Sequence, residues 1–539
     1  PYTVLLKQMN KGIPDILAAL GIKTFYQDML TISEETIATI APLLKELHWH
    51  YAVEVVKAAA HVANAPDAYP VLITSFKCTP DAFVTEYFKQ IMERYAKPYL
   101  ILQLDEHDSS VGYETRIEAA LRSFRNHHAG HRKSPLPNSA QMPGTRKASL
   151  DGKTLVMPNW GDISQRLVVA NLRREGFDAR LLEEDQTSIR KSLRYNTGQC
   201  IPLNIIAQEF IDYVERYDLD PARCVLWMIR SAIPCNLRLF PYHIEHLFKT
   251  YGKGFEAAQV YPGVISLADM SKKLPINTYF AYMFGGLVNK MGCAIRPYEL
   301  YPGETDAVIE KSMSLFENAF LGHQKKEDAV VKVVDMFAAI QKSNGAFEER
   351  RPKVAIFGDL YARDNETFNQ GLAHQIELWG GEVVTTPYSS LVKMIAKPYL
   401  RKWFVEGNYF EALSSKAVMT AVTHLEKKYY KHFSRVLKET EPAYDDSPES
   451  ILSQYNVRIE NTGESMENIL KIHYLLKKNP DIALFVQASP AFCCPSLVTE
   501  AMAKDIERNT GVPIVSITYD GTGGEKNDPI IPYLTYLKN

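Results

Sequence analysis

The sequence predicts an α/β protein of two to three domains with parallel sheets and a helical insertion. Seven short apolar runs are bounded by turn residues, and each is followed by a segment of helix length. The composition, 46% hydrophobic and 23% charged over 539 residues, suits a large packed core. Short apolar strands alternating with helices are the pattern of parallel sheets, whose strands are buried on both faces.

The strand candidates are 71–74, 99–102, 154–157, 224–228, 354–357, 482–486 and 514–517. The stretch from 305 to 343 is longer and helical in period. Residues 127–150 carry Pro, Gly, Ser and basic residues with few apolar ones, and read as a linker. A second polar loop runs over 439–448. The expected division is a partial α/β module at 1–126, the linker at 127–150, and α/β domains at 151–345 and 346–539.

An internal repeat supports that division. Cys78-Thr79-Pro80, Val84-Thr85-Glu86, Lys97-Pro98 and Asp105 are echoed by Cys493-Cys494-Pro495, Val498-Thr499-Glu500, Val512-Pro513 and Asp520. The separations 493 − 78, 513 − 98 and 520 − 105 all equal 415, with one residue gapped at the Val-Thr-Glu match. Asn196-Thr197-Gly198-Gln199-Cys200 is echoed by Asn461-Thr462-Gly463-Glu464-Ser465. By the order of these landmarks, residues 1–126 are the tail of an earlier module. With no initiator Met at Pro1, the expectation is a portion of a longer polypeptide.

With 61 Lys+Arg against 63 Asp+Glu, the net charge of −2 supplies no global field for nucleic acid or anionic lipid. No run of about 18 apolar residues predicts a membrane span. Seven cysteines are too few for a disulfide scaffold, and the expected compartment is a reducing cytoplasm, where thiols more often serve as ligands or reactive groups.

Four cysteines fall where strands should end. Cys78 follows the 71–74 run, Cys235 the 224–228 run, and Cys493 and Cys494 the 482–486 run. The carboxyl ends of parallel strands are where α/β folds place their sites. Cys200 precedes an apolar helix, whose N-terminus favours a thiolate. Each of these cysteines has a proline within two residues, which stiffens its turn. Such turns can hold sulfurs around an iron–sulfur cluster. Taken singly, each cysteine also fits a small buried apolar residue, as Cys224 and Cys293 do. No Cys-x-x-Cys is present, so a zinc ribbon or a thioredoxin motif is not supported.

Four strings carry a family resemblance: Ser75-Phe76-Lys77-Cys78-Thr79-Pro80-Asp81, the run from Leu104-Asp105-Glu106-His107 to Arg116, Asn196-Thr197-Gly198-Gln199-Cys200, and Phe357-Gly358-Asp359-Leu360-Tyr361. Over nearly its whole length the chain resembles the C-terminal region of the large activase-fused proteins related to 2-hydroxyacyl-CoA dehydratases. The resemblance implies flavodoxin-like or Rossmann-like domains and an iron–sulfur centre of 4Fe–4S or double-cubane type. It implies Cys78, Cys200 and Cys235 as ligands, with Cys493 or Cys494 as a fourth. Ser465 falls where a second module would need its counterpart of Cys200. An activating ATPase is the implied partner, with ATP bound only there, since the chain lacks a P-loop and paired Gly-rich phosphate loops. An acyl-CoA substrate and a homodimer are compatible with this reading; nothing in the chain marks a CoA pocket.

Asp105 and His107 end a strand and are the acid–base candidates, His107 because imidazole titrates near neutrality. A polar strand-end turn is the alternative. Gly198, Gln199 and Asn236 flank the cysteines and are the cofactor-binding candidates. The 520–524 Gly-rich turn, the 242–246 His pair and the basic–aromatic 427–431 run read more simply as a turn and helix surfaces. The leading expectation is an iron–sulfur electron-transfer or dehydratase-like component working with an ATP-driven activator. A non-catalytic scaffold that docks the ATPase is the alternative, and a cobalamin- or nucleotide-binding module is the third.

Overall fold

The computed structural model describes residues 5–75, 79–104, 110–130, 148–196, 198–230, 235–343, 351–439, 443–460 and 463–538. Among the described residues ten strands form three sheets, all parallel. The strands are β1 Val71–Ser75, β2 Leu100–Leu104, β3 Thr154–Met157, β4 Asp178–Leu181, β5 Cys224–Ile229, β6 Gln259–Gly263, β7 Lys353–Gly358, β8 Glu382–Val384, β9 Ile482–Pro490 and β10 Ile514–Tyr519. The principal helices are α1 Glu34–Leu44, α2 His50–Asn64, α3 Thr79–Arg94, α4 Ser110–Gly130, α5 Asp162–Arg174, α6 Ile201–Arg216, α7 Phe240–Tyr251, α8 Leu274–Ile295, α9 Glu304–Leu321, α10 Lys326–Ala339, α11 Tyr388–Val405, α12 Tyr409–Leu437, α13 Glu464–Lys478, α14 Cys494–Ala501 and α15 Ala503–Thr510.

The middle sheet has the order β4-β3-β5-β6 and the C-terminal sheet β8-β7-β9-β10. Written as first to fourth strand of each module, both are 2-1-3-4. The order reverses between first and third strand, the switch point at which α/β sheets open a crevice at their carboxyl ends. The N-terminal pair β1-β2 reproduces the third and fourth strands. Val71 pairs with Leu100 and Val486 with Val515, and 486 − 71 and 515 − 100 both equal 415. The helices that follow, α3 and α14, also begin 415 residues apart (494 − 79). Thus the repeat read from the sequence is a repeat of topology, register and strand ends.

All seven expected strands form. The three not anticipated, β4, β6 and β8, are all edge strands. An edge strand does not need a continuous apolar run, and β6 carries Pro262 where only an edge tolerates it. Helix α4 runs to Gly130, four residues into the segment read as linker, and Tyr69 hydroxyl lies 2.8 Å from His127 Nδ1 there. The remainder of that linker, 131–147, lies outside the described residues.

The modules are joined at the carboxyl ends of their sheets. Tyr388 hydroxyl reaches the carbonyls of Trp160 and Leu360, 3.3 and 3.1 Å away, in the turns after β3 and β7. Asn365 Nδ2 donates to Asn159 O at 3.3 Å. Helix α8 braces the joint: a Cβ on Gly286 would stand 2.6 Å from Pro387 Cβ, so only glycine fits. Lys290 on α8 pairs with Glu439 at 2.6 Å.

The N-terminal module docks on the middle one through α3 and α7. Phe83 stacks on Phe240, ring centroids 6.2 Å apart, and His243 packs edge-on to Phe83. Burial lowers the His243 pKa from 6.5 to about 4. The unfolded chain therefore binds a proton below pH 6.5 that the folded chain refuses until about pH 4. Stability should fall as pH drops through that window, by about 3 kcal/mol once both limits are passed. The melting temperature followed from pH 7.5 to 4.5 checks this, and His243→Gln should flatten the profile.

Candidate functional site

A cavity of about 100 Å³ lies where the middle and C-terminal sheets face each other. Cys200, Cys235 and Cys493 all line it, brought together from positions up to 293 residues apart (493 − 200). Parallel βα geometry explains the convergence. The helix before a strand starts at the sheet's carboxyl edge, and the helix after a strand starts there too. Cys200 is the N-cap of α6, before β5. Cys235 is the N-cap of the 3-10 turn Asn236–Leu239 that leads from β5 into α7. Cys493 is the N-cap of α14, after β9.

Three cysteines at N-caps are unusual chemistry for that position. Ser, Thr, Asp or Asn there would accept a backbone N–H and stabilise the helix by about 1 kcal/mol. None of the three sulfurs makes a capping bond. Each cysteine also stands at the N-terminal, positive end of its helix or turn.

The walls are mostly apolar: Trp160, Ile206, Met228, Ile229, Phe240, Ile265 and Tyr361. Asp359 and Glu467 supply the acidic part. Asp359 caps the turn after β7, its carboxylate accepting from Ala362 N at 2.9 Å, and burial raises its pKa. Burial likewise raises that of Glu467, which accepts from Tyr399 hydroxyl at 2.9 Å. Lys471, one turn from Glu467 on α13 and fully buried, donates to Gly358 O at 3.1 Å and Asn468 Oδ1 at 3.2 Å. Among the described residues no three Cys, His, Asp or Glu side chains are close enough to share one metal ion. A mononuclear site of zinc type is therefore not formed by them.

The other expected residues divide as follows. Cys493 lines the cavity, whereas Cys494, the first residue of α14, is not among the residues lining it. Ser465 donates to Pro495 O at 3.1 Å. Gly198 takes φ +101 and donates its N–H to Asn196 Oδ1 at 2.9 Å, turning the chain into Cys200. Gln199 is buried beside it. Asn236 faces away to the N-terminal module, accepting from the Trp49 indole at 2.9 Å. Cys78, Asp105 and His107 lie outside the described residues. Immediately after Cys78, α3 begins; its Phe83 stacks on Phe240, a wall of the cavity.

Of the remaining motifs, the Gly-rich turn and the basic–aromatic run take their simpler readings, whereas the 242–246 His pair is not a solvated helix surface, since Tyr242 and His243 are buried at the module joint. His246 pairs with Glu86 at 3.1 Å across the module joint. Lys428 pairs with Glu327 at 2.7 Å. In the Gly-rich turn, Asp520 accepts from Thr522 N at 2.9 Å and pairs with Lys526 at 3.0 Å. The sequence reading missed Asp359, Glu467 and Lys471. Asp359 could have been found by its place one residue beyond the first strand of its module. Glu467 and Lys471 are spaced like a solvated helical pair, and only the fold buries them.

Among the described residues no helix is long and apolar enough to cross a membrane. Set against known proteins, the chain matches no family model and no curated protein.

Proposed function

We propose that this chain holds an iron–sulfur cluster through Cys200, Cys235 and Cys493, with Cys78 as a further ligand, and serves as a low-potential electron-transfer component. The observation that carries the reading is the convergence of three N-cap cysteines on one apolar cavity. A cuboidal cluster binds its thiolates on separate irons. Its ligands are spaced more widely than those of a single ion. When bound, the cluster supplies one-electron chemistry at a potential set by burial and nearby charge.

The protein's own residues support that role. The aromatic and aliphatic walls exclude water. Asp359 and Glu467 line the same cavity, and burial raises the pKa of each, which disfavours negative charge on them there. The resemblance adds an ATP-driven activator as electron source, an oxygen-poor cytoplasm as setting, and removal of hydroxyl from a 2-hydroxyacyl-CoA as the reaction class served.

Anaerobic reconstitution with iron and sulfide tests the reading. The wild-type protein should turn brown, with about four iron per cluster and broad absorption near roughly 400 nm. Cys200→Ser should lose most of that iron. Cys293→Ser should keep it, because Cys293 is buried on α8, where burial pushes its thiol to about 12. Colourless, iron-free wild-type protein would leave the ATPase-docking scaffold as the function.

A further inference from the structure

The repeat makes one helix face conspicuous. In the N-terminal and middle modules, the segments that follow the third strand pack against each other. Their central contact is Phe83 on Phe240, and each is the fifth residue after its module's strand-end cysteine, Cys78 or Cys235. The same position from both sides meets at one point, which is the signature of twofold geometry. In the C-terminal module, the fifth residue after Cys493 is Val498.

Val498 is 47% exposed and its neighbour Leu497 56%. Allowing for the one-residue gap in the repeat, their counterparts are Ala82, Phe83 and Val84, all buried. Phe492, two residues before α14, is 39% exposed and held at φ +66. A bulky residue in the left-handed region costs about 1–3 kcal/mol and persists where its surroundings or its role require it. Beyond the apolar face, exposed Glu500 and Lys504 stand one turn apart on α14 and α15. That pair is complementary to itself when related by a twofold axis.

We propose that the chain forms a symmetric dimer through α14, with Val498 meeting Val498 of the partner subunit as Phe83 meets Phe240 within the chain. The occupant is a second copy because the repeated contact joins like to like, and α14 is the third-strand helix left without its like. The contact requires no metal, so it stands or falls apart from the cluster.

Light scattering coupled to size exclusion, on the full chain at micromolar concentration, tests it. The expected mass is twice the 61.1 kDa of one chain. Val498→Glu and Leu497→Glu should each return the mass to a single chain with an unchanged circular-dichroism spectrum. Leu378→Glu, at an exposed position on another helix, should stay dimeric. Should either α14 variant fail to fold, Leu497→Ala, expected to raise the dissociation constant at least tenfold, provides the readout. A wild-type chain of single mass overturns the proposal, as does a dimer that both glutamates leave intact. So does a single-mass chain that uses this face only for a different added protein.

Discussion

Replacing Glu46 by alanine is expected to destabilise the protein by about 3 kcal/mol and to lower its iron content. Glu46 follows α1 and is buried. Its carboxylate pairs with Arg230 at 2.6 Å and with Arg238 at 2.5 Å. These arginines flank the segment that carries Cys235, so one carboxylate from the N-terminal module ties down both ends of a cysteine turn. Removing it leaves two guanidinium groups facing each other without their counterion. Breaking a buried pair on one side costs about 3–5 kcal/mol, and the partial exposure of Arg230 places this case at the lower end. Thermal unfolding and iron content of Glu46→Ala, with the half-buried Glu54→Ala as the comparison, measure the effect. Among the described residues Glu54 pairs with its helical neighbour Lys57 alone, so its loss should cost about 1 kcal/mol or less.

Gly358→Ala should be comparably severe, costing about 3 kcal/mol. Gly358 ends β7 at φ +119, a conformation that residues with a Cβ rarely adopt. An added Cβ would stand 2.3 Å from Ala488 O, a backbone atom of the adjoining strand that cannot swing away. The two strands are stitched there by Asp359 N donating to Ala488 O at 3.0 Å, and Gly358 O accepts from Lys471. Relief of the clash would push β9 from β7 and move the turn bearing Cys493. The expected outcome is lower stability together with reduced iron binding. Unchanged melting temperature would show that the strands can separate without cost.

The parts of the fold legible in the sequence are those where burial dictates composition. The central strands β3, β5, β7 and β9 each hold a continuous apolar run that stands out; β4, β6 and β8 are edges and carry Asp178, Pro262 and Glu382 without penalty. The site was legible to the extent that its chemistry sits in turns. Cys200, Cys235 and Cys493 are marked by proline and by strand ends, which are local features. That Cys493 lines the cavity and its neighbour Cys494 does not needed the direction of the chain at the helix start. Finding Glu467 and Lys471 needed the knowledge that α13 is covered on its charged side, which no local pattern carries. The exposure of Val498 was equally invisible, since the valine of the same Val-Thr-Glu string is buried as Val84 in one copy of the repeat and open as Val498 in the other.

Anomalous scattering at the iron edge, from crystals of protein reconstituted without oxygen, tests the central claim most directly. The account predicts a compact group of iron atoms in the cavity between β5 and β9, bonded to Cys200, Cys235 and Cys493. Iron bound elsewhere, or none after full reconstitution, would contradict it.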